Sequence, residues 1–368
     1  MGCNGSKISQ NENPSDGDII SDNSIHVLTH LSTSNNSFPP ISNSFSDQLQ
    51  IFEYKFLHRI GNGQKSTVYL VERIDTKSKF AAKVYHKNIF CSLPLNNDSN
   101  NNDSNNNDSN NNDSNNNDSN NNDSNHNENN GNHKNNEKMD AVIQEIHIMA
   151  TVKHPNILPI IELLDDDNIS CLIFIMPFAD QGHLLPMKDK IHAENEAKTI
   201  FFQICKGLQY LHSKNILHHD IKPENVLLFS DGTAVLSDFS HSITLDSSDD
   251  IISTTKTTIP FCSPESLSNM PYHGKKHDIW SLGITLYFMI FGHLPFFDVD
   301  ENLSYVSQLY KITQQIRNDP VEYDSNTNIS DDLQDLFLKV LEKDYKLRVD
   351  IDAILDHPWL NNVSTENS

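Results

Sequence analysis

The run His218-His219-Asp220-Ile221-Lys222-Pro223-Glu224-Asn225 constrains this chain more than any other stretch. It sets a carboxylate, a lysine and a carboxamide at fixed offsets. Asp220 can accept the proton of an attacking hydroxyl. Lys222 can sit against charge developing on a transferred phosphate. Asn225 can hold a metal ion through its side-chain oxygen. Upstream, Ile60-Gly61-Asn62-Gly63-Gln64-Lys65-Ser66-Thr67-Val68 lies between two strand-like runs, Tyr54–Ile60 and Thr67–Arg73. Glycines let backbone N–H groups approach phosphates where a side chain would block them. A lone glycine pair is more often an ordinary turn, so its companions along the chain decide its meaning.

The first run resembles the protein-kinase catalytic loop H-R-D-x-x-x-x-N, with His219 where arginine is usual. The other motifs follow in the order that this resemblance requires. Residues 60–68 read as the glycine-rich loop over ATP, with Ser66 in place of its third glycine. Fifteen positions past Val68, Phe80-Ala81-Ala82-Lys83 looks like the V-A-I-K strand, whose lysine reaches the α- and β-phosphates. That lysine is oriented by a glutamate on the next helix. Residues 141–149 have a helical apolar pattern, with Val142, Ile146 and Met149 on one face. Glu145 is the candidate there. A random glutamate would be a solvated surface residue, but this one precedes His154-Pro155-Asn156-Ile157, which opens the following strand region in many kinases.

Downstream, Val235-Leu236-Ser237-Asp238-Phe239-Ser240 resembles the segment ending in D-F-G, in which Asp238 binds Mg²⁺. Ser240 replaces the glycine and removes backbone freedom. A restricted switch of Phe239 with a retained metal site is the expectation. Ser263-Pro264-Glu265 stands for A-P-E, and Arg348 is placed to pair with Glu265. The run from His277 to Gly283 resembles the lobe-stabilising helix, with Asp278 capping the catalytic-loop backbone.

The resemblance runs from about Tyr54 to Leu360 and implies an α+β, bilobal protein kinase fold. A small β-rich N-lobe (54–176) with one main helix carries an Asn-rich insertion (92–138). A larger helical C-lobe spans 180–360. It further implies ATP and Mg²⁺ as cofactors, protein substrates, and, through Lys222-Pro223-Glu224, serine/threonine specificity. Val68 and Ala81 would cover the adenine from above and Leu227 from below. Met176 would be the gatekeeper and Phe178 part of the hinge. Each of these apolar residues, taken singly, would be plain core. Met149, Ile160, His218 and Phe239 would stack as the column linking the lobes. Asp220 and Lys222 would be catalytic, with Asn225 and Asp238 holding the metal.

The chain is most similar to the calcium/calmodulin-dependent protein kinase kinases and their relatives, which act on other kinases. The carrying stretches are residues 161–166, Asp180-Gln181-Gly182, residues 263–268 and Asp356-His357-Pro358-Trp359. Those kinases also insert a long segment between the lysine strand and the glutamate helix. Only Leu360–Ser368 follows the final helix, so the reading expects no calmodulin-binding tail and no calmodulin partner.

Net charge is -23, with 50 acidic against 27 basic residues. That balance argues against nucleic acid as a partner, which needs a basic face, and against a polybasic membrane patch. The five cysteines are scattered, with no paired metal-ligand spacing, and read as reduced cytosolic thiols. No apolar run reaches transmembrane length. Residues 1–51, rich in Ser, Asn and Asp, cannot bury enough apolar surface to offset chain entropy and read as disordered. Residues 361–368 form a short tail. Asn96–Asn125 is six tandem copies of Asn-Asn-Asp-Ser-Asn. One aspartate per repeat keeps the tract solvated, and it reads as a tolerated surface loop. A docking arm is the competing reading.

Met1-Gly2-Cys3-Asn4-Gly5-Ser6 fits the N-myristoylation pattern. Gly2 would carry the myristoyl chain and Cys3 a palmitoyl chain; the alternative is a chance match on a polar tail. A single myristoyl chain binds membranes only marginally, so Cys3 would supply the second anchor. The expected location is the cytoplasm, at a membrane face where the tail is acylated.

The arginine that His219 replaces normally binds an activation-loop phosphate. A histidine near pKa 6.5 is a weaker phosphate partner. Activity should therefore depend little on phosphorylation of that loop, although Thr254 and Thr255 are candidate acceptors. Thr258 is expected to contact the catalytic aspartate. Two other readings compete: a pseudokinase scaffold, suggested by Ser66, His219 and Ser240, and a membrane-tethered interaction protein built on the tail and insertion. Deleting Asn96–Asn125 separates the last from a kinase. Loop-closure entropy grows slowly with length, so turnover of the deletion variant should match that of the full chain in a phosphate-transfer assay.

Overall fold

The computed structural model describes residues 49–63, 66–87, 142–166, 169–184, 192–246, 249–254, 258–268, 270–296, 303–323, 327–361 and 363, and the backbone of 27–28. Gly2, Cys3, Gln64, Lys65, Thr255 and the Asn-rich insertion lie outside the described residues.

Period-two burial builds the first layer. In β3 (Tyr54–Asn62), Tyr54 and Phe56 turn inward while Lys55 faces out. Strands β1 (Val27–Leu28), β2 (Gln50–Ile51), β3, β4 (Ser66–Arg73), β5 (Lys79–His86), β6 (Glu162–Asp165) and β7 (Cys171–Pro177) form one sheet. Its order is β1-β6-β7-β5-β4-β3-β2. β1 joins β6 in parallel and the other neighbours are antiparallel. The sheet thus begins before residue 54, where the sequence reading had only disordered residues 1–51. Ile51 is buried with Tyr54, Phe56 and Tyr69. A two-residue strand is too short to show a period, so its burial was not legible.

Residues 142–151 form a helix, α1. Val142, Glu145, Ile148 and Met149 are buried and Ile143 is exposed. The buried face is therefore centred on Ile148, with Ile146 only half-buried, a small rotation from the face expected. It packs into the same core as Ala81 and Tyr85 of β5.

The second layer is helical. After β8 (Gly182–His183), helix α2 (Glu194–Ser213) buries Ile200, Phe201, Ile204 and Leu208. Short strands follow: β9 (Ile216–Leu217), β10 (Val226–Leu228), β11 (Ala234–Leu236), β12 (Ile243–Thr244), β13 (Ile251–Ile252) and β14 (Tyr272–His273). Helix α3 (Gly274–Phe291) is buried on nearly every side and ends on Gly292 in the left-handed region (φ 73°). Helices α4 (Tyr305–Asn318), α5 (Asp331–Val340) and α6 (Ile351–Leu355) complete it, with Ser304, Ser330 and Asp350 as side-chain N-caps. This is the bilobal α+β arrangement expected.

The segment after α1 joins the layers. Asn156 donates to the Ala234 carbonyl at 2.9 Å and accepts from Leu236 N–H at 2.9 Å. Gly207 of α2 allows that approach, since a Cβ there would lie 2.7 Å from the Asn156 oxygen. The strand leading to Asp238 is thereby tied to the helix carrying Glu145.

Glu265 and Arg348 close the helical layer with a bidentate pair, at 2.6 and 3.0 Å. Arg348 also donates to the Glu342, Lys276 and Lys343 carbonyls, and its side chain is fully buried. Removing it would strand a largely buried carboxylate. Arg348→Ala should cost about 3–5 kcal/mol, read as a lower midpoint in urea unfolding.

Candidate active site

The antiparallel ladder β3–β4–β5 sets the glycine pair against the lysine strand. Gly61 faces Val68, and Val68 faces Lys83. A Cβ at Gly61 would touch Val68 at 3.4 Å. The ladder runs further than the sequence reading placed it: β3 takes in Gly61 and Asn62 as well as Ile60, and β4 takes in Ser66 as well as Thr67 and Val68. Gly63 N–H bonds the Ser66 carbonyl at 2.8 Å and closes the hairpin. On the next pair, Ala81 faces Met176. Val68, Ala81, Met176 and Leu227 belong to one apolar core, and half-buried Phe178 follows β7. Ile60 is exposed.

Lys83 Nζ donates to Glu145 Oε1 at 2.6 Å and to Asp238 Oδ1 at 3.0 Å. Burial alone would lower its pKa, but the two carboxylates outweigh that and hold it well above the usual lysine range. The other Glu145 oxygen accepts from Tyr85 OH at 2.6 Å. Tyr85 was missed in the sequence. It lies two residues from Lys83 on the same strand face, and that alternation was the available signal.

The β10–β11 hairpin sets the metal-site candidates. Val226 faces Leu236, and Ser237 N–H bonds the Asn225 carbonyl at 2.8 Å. Asn225 therefore lies at the open end of the hairpin opposite Ser237, the residue before Asp238. Asn225 Nδ2 donates to Asp220 Oδ2 at 3.0 Å and to its carbonyl at 2.8 Å, which leaves Oδ1 to meet a cation. Burial would raise the Asp238 pKa, but Lys83 brings it well below the carboxylate range. A carboxylate and an amide oxygen suit Mg²⁺, which takes few protein ligands and completes its shell with phosphates and water. Among the described residues there is no larger metal-ligand cluster. Phe239 is fully buried against His218, with ring centroids 5.3 Å apart, so it points inward.

Asp220 is surrounded by donors. Lys222 Nζ lies 2.6 Å from Oδ2, and Thr258 Oγ1 donates to Oδ1 at 2.8 Å. Lys222 also reaches Thr258 at 2.9 Å. Burial raises the Asp220 pKa, yet Lys222 and Thr258 bring it below the ordinary value, so it stays ionised. His241 Nδ1 is 3.8 Å from Asp220 Oδ2, a neighbour the sequence reading did not name. The loop backbone is fixed by Asp278, which accepts from His218 N–H at 3.0 Å and His219 N–H at 2.8 Å. Of the loop candidates, Thr254 is described and Thr258 meets Asp220.

A two-lobed fold with this lysine–glutamate–aspartate arrangement defines an ATP-dependent phosphotransferase site. The chain belongs to the protein kinase family, whose domain model matches residues 125–360. The glycine pair and Lys83 precede that match, separated by the insertion, and the sheet brings them back to it. Members of the family use ATP and Mg²⁺. The chain is 30% identical over 329 residues to a calcium/calmodulin-dependent protein kinase kinase of Caenorhabditis elegans, covering 86% of this chain and 54% of the relative. It is 34% identical over 233 residues to CBL-interacting protein kinase 26 of rice, covering 62% and 45%. It is 32% identical over 224 residues to the serine/threonine-protein kinase GRIK1 of Arabidopsis thaliana, covering 60% and 54%. The chain thus spans about half the length of these relatives.

Two buried histidines give the site a pH dependence. Burial lowers His219 from 6.5 to about 4 and His277 from 6.5 to about 3. Below pH 6.5 the unfolded chain takes up protons that the folded chain refuses, so stability is full above that pH and is lost as it falls toward 4. The melting temperature should drop steadily between pH 6.5 and 4, and His277→Gln should flatten that slope.

Proposed function

We propose that this chain is an active serine/threonine protein kinase that transfers the ATP γ-phosphate to protein hydroxyls. The observation that supports it best is the complete set of charged partners around Asp220, Lys83 and Asp238. Bound Mg²⁺, held by Asn225 Oδ1 and Asp238, would neutralise charge on the β- and γ-phosphates. Lys83, oriented by Glu145, would hold the α- and β-phosphates. Residues 60–68 would lie over the phosphates, with Val68, Ala81, Met176, Phe178 and Leu227 around the adenine. Asp220 would orient the substrate hydroxyl and accept its proton. Lys222, held between Asp220 and Thr258, would face the charge on the transferred group.

The kinase domain in this reading runs from about 54 to 360. Other kinases are the substrates we favour, because a relative of this chain is named a kinase kinase. The Gly2 and Cys3 pattern supports a membrane-face location through acylation. No helix among the described residues is long and apolar enough to cross a membrane, so attachment would rest on those chains.

Phosphate transfer to a generic serine/threonine protein substrate tests the activity. Asp220→Asn should lower the rate by about 10²–10⁴ while ATP binding persists. Absence of transfer by the wild type, with ATP still bound, would support a scaffold instead. Because His219 is uncharged, the wild-type rate should be the same before and after phosphatase treatment; a collapse would reinstate control by an activation-loop phosphate.

A further inference from the structure

His219 and Tyr272 form a chain of hydrogen bonds that the kinase motifs do not explain. Tyr272 OH donates to the Thr254 carbonyl at 2.9 Å. That uses its single proton, so the 2.7 Å contact between Tyr272 OH and His219 Nε2 must be donated by the histidine. The polarity is fixed: His219 N–H to Tyr272 O–H to Thr254 C=O. Both rings are buried and nearly parallel, with an interplanar angle of 18°.

The ends of this chain are themselves anchored. His219 has a left-handed backbone (φ 65°) held by Asp278. Tyr272 lies in β14, paired with Ile252 of β13 two residues before Thr254. Four residues after Thr254, Thr258 bonds both Asp220 and Lys222. Thr254 is thus held by Tyr272, and Thr258 by Asp220.

The geometry points to Tyr272 as a positioning residue: its hydroxyl latches the segment bearing Thr258 to the catalytic loop, with no charge on either partner. This rests on the kinase reading above and adds a mechanism to its independence from phosphorylation. A latch made of an imidazole, a phenol and a carbonyl needs no phosphate to complete it. Burial keeps His219 neutral and Tyr272 protonated, which preserves the donor order at working pH. The latch places the segment and not the nucleotide. Its loss should therefore act on the protein substrate and leave ATP binding alone.

The test uses the full chain with ATP·Mg²⁺ and a serine/threonine peptide. Tyr272→Phe keeps the ring and removes the hydroxyl. KM for the peptide should rise about three- to tenfold, as expected for one buried hydrogen bond, with KM for ATP unchanged. His219→Phe should give the same peptide effect from the other end, and the double variant should add nothing to either. Amide hydrogen exchange over 249–254 should accelerate in Tyr272→Phe while α5 keeps its protection. Wild-type kinetics and exchange in Tyr272→Phe would overturn the latch, and so would additive effects of the two variants. If the wild type transfers no phosphate, the kinase reading fails, and the exchange comparison still decides the latch.

Discussion

The Asp278 carboxylate is the interaction on which the rest of this site depends. It is fully buried on α3, where an isolated charge would be costly. Three donors offset that cost: the backbone N–H groups of His218 and His219, and His212 Nε2 at 2.9 Å. Holding two consecutive N–H groups on one carboxylate supports the left-handed turn at His219. Three successive side chains then diverge. His218 turns toward Phe239 and the Ser237 carbonyl, His219 toward Tyr272, and Asp220 toward Lys222 and Thr258. One buried carboxylate thereby sets the His218–Phe239 contact, the link to Tyr272 and the orientation of the candidate carboxylate Asp220.

Lys83 performs the matching task across the layers. It bridges Glu145 of α1 and Asp238 beyond β11, so a strand, a helix and a hairpin meet at one ammonium. The pair with Glu145 is buried, and breaking such a pair costs more than forming it gains. Tyr85 fills the remaining carboxylate oxygen, which fixes Glu145 in the orientation that Lys83 needs. Asn156, shortly after α1, binds β11 through its side-chain amide and its carbonyl, so this contact and the ionic ones agree.

Much of the candidate site was legible because its chemistry tolerates few residue types at few spacings. The Asp220–Asn225 offsets are met within a single loop, and Glu145 was chosen from the kinase resemblance, with helical periodicity supplying only its helix. The same logic passed over Tyr85, which strand alternation beside Lys83 could have flagged, and it could not find His241 or Tyr272. Each is an ordinary residue whose role comes from a neighbour distant in sequence. Ile51 escaped notice for a related reason, since a two-residue strand carries no period. The rotation of α1 toward Ile148 depends on what the sheet offers for packing, which no local pattern reports.

The sequence by itself determined the fold class, the order of the motifs and the identity of the charged groups at the active site. The motif spacings follow from the narrow chemistry of phosphate, metal and proton, and the fold class from the resemblance to protein kinases that those motifs carry. Only the tertiary structure decided that His219 would be a buried link to Tyr272 and not an exposed imidazole. That outcome depends on desolvation and on a phenol fifty-three residues away, and burial is a property of the assembled core.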